Sequence, residues 1–151
     1  MYYFDCKIKF EKQLEEGKVQ KVSESYLIDA LTFTEAEARI VEEMKPYISG
    51  EFEVSNIRRV RLSDIFTNSG GDKWYKAKLM YIVPDEETGA EKKTANFVLV
   101  QASSFEEAVK LVISEMGKTA IDYEINTVQE TAYMDVYRFE SKSGSESQTA
   151  G

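Results

Sequence analysis

Apolar and polar positions alternate from the start of the chain: Phe4, Cys6, Ile8 and Phe10 are separated by residues that include Lys7 and Lys9. The same period returns at Tyr75, Ala77, Leu79 and Tyr81, interleaved with Lys76 and Lys78. A repeat of two residues is that of a strand in a sheet covered on one face. Gly17 and the run Asp85-Glu86-Glu87-Thr88-Gly89 then supply hairpin turns into a second strand in each place. Beyond those strands the period lengthens to that of a helix, with Phe33, Ala36, Ile40 and Met44 on one stripe and Phe105, Ala108, Val112 and Met116 on another. Both helices open on a capping box, Thr32 with Glu35 and Ser104 with Glu107, in which hydroxyl and carboxylate satisfy free backbone N–H groups. Pro46 stops the first helix and Gly117 the second. Alternation resumes at Phe52 and Val54, and at Tyr123 and Ile125, then changes parity at Ile57 and Val128, as a bulge would require.

These elements recur in the same order, which predicts an internal duplication. Ala30-Leu31-Thr32-Phe33-Thr34-Glu35-Ala36 overlies Ala102-Ser103-Ser104-Phe105-Glu106-Glu107-Ala108, and without a gap Ile40 meets Val112 and Met44 meets Met116. The match continues downstream to Asp64-Ile65-Phe66 over Asp135-Val136-Tyr137. The expected fold class is therefore α+β, a duplicated ββαβ unit forming antiparallel-rich sheet or sheets with one helix per repeat packed on one face. A single domain over residues 1–140 is expected, with repeats at 2–66 and 73–137, a linker at 67–72 and a disordered Ser/Gly-rich tail at 141–151. Two assemblies stay open: one continuous six-stranded sheet, or two three-stranded layers around a shared core. Because one such unit alone is marginal at about 70 residues, the copies should share that core.

The runs Tyr26 to Arg39, Ile48-Ser49-Gly50-Glu51-Phe52, Gly89-Ala90-Glu91-Lys92-Lys93-Thr94 and Val128-Gln129-Glu130-Thr131-Ala132 resemble a family of uncharacterised proteins from gut Bacteroides-type bacteria. The resemblance covers nearly everything from Tyr3 to Tyr137. It implies a bacterial source with a phage or mobile-element neighbourhood, and it supplies no activity, since the family is a domain of unknown function.

Composition narrows the chemistry. The chain has 151 residues and no histidine, so the commonest general base, metal ligand and triad partner is missing. No Gly-rich phosphate loop is present, and Gly70-Gly71 lies in the linker with no helix and lysine to follow. No catalytic residue, metal ligand set or cofactor is expected. A carboxylate pair, Asp64 with Asp135, is the sole conceivable metal-dependent site, and both are more simply read as capping a turn after the last strand. Cys6, the single cysteine, reads as a small buried hydrophobe. The N-terminus shows no signal pattern and no run is long enough to span a bilayer, so a cytoplasmic protein without membrane association is expected.

With 19 Lys plus Arg against 27 Asp plus Glu, the net charge of −8 opposes binding to polyanions by bulk attraction. A local basic cluster, Arg58, Arg59 and Arg61, has no basic counterpart in the second repeat, and with Lys76 and Lys78 on a neighbouring strand it would form an anion or nucleic-acid contact. The leading expectation lies elsewhere. Val109, Leu111 and Ile113 replace Glu37, Arg39 and Val41 of the first helix, and Trp74, Met80 and Ile82 stand at strand positions that would otherwise face water. This apolar surplus is either internal packing or the interface of a binding or adaptor protein, its partner unknown or a second copy in a homodimer.

Overall fold

The computed structural model describes residues 2–139, and the expected tail at 141–151 lies outside them. The first half of the chain forms strands β1 (Tyr2–Gln13) and β2 (Val19–Ala30), helix α1 (Phe33–Met44), then β3 (Phe52–Val60) and the short β4 (Asp64–Phe66). The second half forms β5 (Lys73–Pro84), β6 (Glu91–Ala102), α2 (Phe105–Met116), β7 (Tyr123–Glu130) and β8 (Tyr133–Tyr137). Both hairpins turn through glycine with positive φ, Gly17 at 75° and Gly89 at 76°.

The helices begin where the sequence places them. Thr32 Oγ1 accepts from Glu35 N–H at 3.1 Å and Ser104 Oγ from Glu107 N–H at 3.1 Å. The returning carboxylates reach one residue further back than a standard box, accepting from Leu31 N–H at 2.6 Å and Ser103 N–H at 2.7 Å. The parity shifts are bulges: Lys7 faces Asn56 while Ile8 faces Val54, leaving Ser55 extra, and Lys78 faces Thr127 while Leu79 faces Ile125, leaving Asn126 extra.

The described residues form two four-stranded, mostly antiparallel sheets, ordered β3-β1-β2-β8 and β4-β6-β5-β7. This overturns the continuous six-stranded sheet, and it adds a strand to each three-stranded layer. The chain divides into two compact units, one made of residues up to Arg61 and from Ala132 onward, the other of Leu62–Thr131. In the first unit β8 joins β2 in parallel, Tyr26 facing Asp135 and Ile28 facing Tyr137. In the second unit β4 joins β6 in parallel, Asp64 facing Val98 and Phe66 facing Val100. The last strand of each half of the sequence thus completes the sheet founded by the other half. Asp64 and Asp135 do not cap a turn after the last strand, as read from sequence; each stands in the short added strand itself.

Each unit has its own core. In the first, Phe4, Cys6, Ile8, Tyr26, Ile28 and Ala30 of the sheet meet Ala36, Ile40 and Met44 of α1, with Tyr137 and Phe139 packed against them. In the second, Tyr75, Ala77, Leu79, Val98, Val100 and Ala102 meet Ala108, Val112 and Met116, and Phe66 from β4 is part of that core. Phe33 and Phe105, assigned to the apolar stripes, are about half exposed, each being the first residue of its helix. Phe33 still sets its ring edge-on to Phe4, centroids 4.8 Å apart.

Candidate functional site

The strands that change sheets are held at matching places by different chemistry. Asp29, near the end of β2, is 2% exposed. Its Oδ1 accepts from the Phe139 N–H just beyond β8 at 2.7 Å and lies 3.5 Å from Arg39 Nη1. Arg39 also donates to the Asp29 carbonyl at 2.6 Å and places its guanidinium 4.7 Å from the Phe139 ring centroid. Tyr137 stacks on Tyr26 at 6.0 Å. In the second unit the position matching Asp29 is Gln101, whose Oε1 accepts from Asn68 N–H at 3.0 Å and whose Nε2 donates to the Gly71 carbonyl at 3.0 Å. Gly71 lies so close to β6 that a Cβ there would sit 2.6 Å from the Ala102 backbone.

This arrangement accounts for one of the residues assigned to a partner surface. Leu111 stands where α1 has Arg39, and it packs against the core of its own unit. The ionic pair Asp29 and Arg39 becomes the neutral pair Gln101 and Leu111, so the apolar residue follows from the loss of the buried carboxylate. That paired change was visible in the sequence and was the one signal that linked these positions.

The other five residues of the apolar surplus do not form one surface. Trp74 is buried, and its carbonyl accepts from both the N–H and the hydroxyl of Thr131 at 2.8 Å. Met80 and Ile82 are half-buried on β5, with side chains alternating away from Leu79 and Tyr81, which pack toward α2. Val109 is half-buried on α2, and Ile113 is 52% exposed.

The basic residues are divided between the two sheets. Arg58, Arg59 and Arg61 are exposed on or just after β3, an edge strand of the first sheet, whereas Lys76 and Lys78 lie on β5 in the second. The two strands are therefore not paired within one sheet. Arg58 donates to Asp5 Oδ2 at 3.0 Å, and the Arg59 guanidinium lies 3.7 Å from the Tyr2 ring centroid. Lys76 lies 4.8 Å from the Phe97 ring centroid. The cross-strand residue Asp5 neutralises Arg58.

Acidic chemistry finds no assembled centre. Asp64 Oδ1 accepts from Ile65 N–H and Asp135 Oδ1 from Val136 N–H, both at 2.8 Å, so each carboxylate is turned onto its own backbone. No group of His, Cys, Asp or Glu among the described residues is arranged to hold a metal ion. Buried hydroxyls are held neutral: burial, then the Asp5 carboxylate to which it donates at 3.3 Å, keeps the Tyr133 phenol well above its ordinary range. Burial, with Asp135 and Glu43 following, pushes Tyr137 up to about 12.

Cys6 behaves in the same way. It is fully buried, and burial followed by the Asp5 charge pushes its thiol up to about 12. The native protein will therefore leave Cys6 unlabelled by a thiol reagent at mildly alkaline pH, with full reaction only after denaturation. Rapid labelling of the folded protein would contradict this. The native value lies above the ordinary 9.0, so the stabilising contribution of the protonated thiol is complete below about pH 9 and is lost as pH rises toward about 12.

No helix of the described residues is long and apolar enough to cross a membrane. Among known families, the one described as Domain of unknown function (DUF4494) matches residues 2–139. No curated protein matches the chain.

Proposed function

We propose that this chain, which belongs to the DUF4494 family, is a non-enzymatic binding or adaptor protein acting through protein–protein contacts. The observation that carries this reading is Ile113, 52% exposed on a helix whose core contacts are already made by Ala108, Val112 and Met116. Beside it Val109 occupies the place that Glu37 takes on α1, so the second helix presents an apolar ridge that the first does not. Met80 and Ile82 form a separate, subsidiary patch on the sheet. A homodimer is the simplest partner for such a ridge.

The same reading takes the chain to be a tandem duplication that forms one domain over residues 1–140. The common 12-residue length of β1 and β5, of β2 and β6 and of α1 and α2, the matched capping boxes, the matched bulges at Ser55 and Asn126 and the position-for-position agreement of the two cores all support it. It also takes the protein to be cytoplasmic and from a Bacteroides-type bacterium. A nucleic-acid role for Arg58, Arg59 and Arg61 is the weaker reading, because Asp5 and Tyr2 already engage two of the three.

Ile113→Glu tests the proposal. At an exposed helical position the change should alter stability by no more than about 0.5 kcal/mol, while self-association, measured by sedimentation equilibrium, or capture of a protein partner is abolished. Parent protein that stays monomeric and retains the same partners as the variant would overturn the reading.

A further inference from the structure

The edges that β2 and β6 turn away from β1 and β5 are strand-binding sites. Each is filled in parallel by a short segment of the same pattern, Asp135-Val136-Tyr137 on β2 and Asp64-Ile65-Phe66 on β6. On the first edge the incoming segment adds Tyr137 and Phe139 to the core, stacks on Tyr26 and delivers the Phe139 N–H to buried Asp29. On the second it adds Phe66 to the core, gives Ser63 N–H to the Phe97 carbonyl at 2.7 Å and Asn68 N–H to Gln101. Without its guest strand each unit would expose a row of backbone donors and acceptors and part of its core.

From this reciprocity we infer that the partner each half of the chain fits is the other half: the two are mutually completing pieces that bind by strand donation, and the covalent link at residues 67–72 is not what holds them. Each piece donates one strand and accepts one, so the pair is closed and satisfies both edges at once. Beyond the hydrogen bonds that Asn68 and Gly71 make with Gln101, the continuity of residues 67–72 raises the effective concentration of one piece for the other. This inference is independent of the surface around Ile113.

The experiment uses the full chain with a site-specific protease sequence inserted after Ser69, which is exposed; the uncut insertion protein is the control and must melt like the parent. After cutting, both fragments are expected to elute together at the mass of the whole chain and to part only in denaturant. The melting temperature of the cut protein should rise with its concentration, as for any two-piece assembly, while that of the uncut protein should not. Tyr137→Ala with Phe139→Ala weakens the guest strand of the first unit. In the cut protein this double variant leaves the fragments joined through β4 alone, so they should part at a lower denaturant concentration than in the cut parent, while the uncut protein stays a single particle. Fragments of the unsubstituted chain that separate in native buffer would overturn the inference. So would a cut double variant that remains as tightly paired as the cut parent, since adhesion would then not depend on the donated strand.

Discussion

Phe66→Ala is expected to loosen the second unit and spare the first, although Phe66 lies in the first half of the sequence. The side chain is 8% exposed and is packed among Val98, Val100 and Ala108 in the core that α2 covers. Truncating a buried phenylalanine costs about 3–5 kcal/mol, from lost transfer free energy and the cavity left behind. Phe66 stands in the three-residue β4, so the loss should fall on the β4–β6 pairing. Amide exchange should accelerate in β5, β6 and α2 while β1, β2 and α1 keep their protection. Trp74, the only tryptophan, lies in the second unit and should report the same transition by fluorescence. Protection lost first in β1 and β2 would place Phe66 in the wrong core.

The second large effect is at Asp29. Asp29→Ala leaves the Phe139 N–H without its acceptor and Arg39 without its buried counter-charge. Removing one member of a fully buried pair costs about 3–5 kcal/mol. Arg39 is 25% exposed and keeps Glu35 Oε2 at 3.4 Å, so the expectation is about 3 kcal/mol, at the low end. Gln101→Ala, which removes a neutral acceptor and donor, should cost about 1–2 kcal/mol. The pair also makes a sharper test. Asp29→Gln combined with Arg39→Leu installs in the first unit the combination that the second unit already uses. Denaturant midpoints should show each single change destabilising and the double recovering most of the loss, a strongly non-additive cycle. Additive losses would mean that the two positions do not act as a pair.

Local structure was legible in the sequence because it is set by neighbours along the chain. Alternation gave β1, β2, β5 and β6; the Thr32 and Ser104 caps gave the helix starts; and the change of parity between Val54 and Ile57 gave the bulge at Ser55. The destinations of β4 and β8 were not legible. A segment of three to five residues carries too little periodicity to identify it even as a strand, and no local pattern says which sheet edge it will join. The residues proposed for a partner surface could be sorted from the sequence only in part, for a related reason. Leu111 and Trp74 look like surplus when counted against one helix and one strand, yet Leu111 packs on its own core and Trp74 is buried. Arg58 and Lys76 are close in composition and pattern but belong to different sheets, which no local pattern announces.

The order of strands also sets an order of events during synthesis. The second unit is one unbroken stretch, Leu62–Thr131, whereas the first lacks β8 until the residues after Ala132 have been made. On the ribosome, β1, β2, α1 and β3 emerge first but must wait with the side of β2 unfilled, while the later-made unit has all its parts as soon as β7 is out. The unit begun first is then the last to be locked, and that interval is when a nascent chain is most open to capture by chaperones or by strands of other nascent chains.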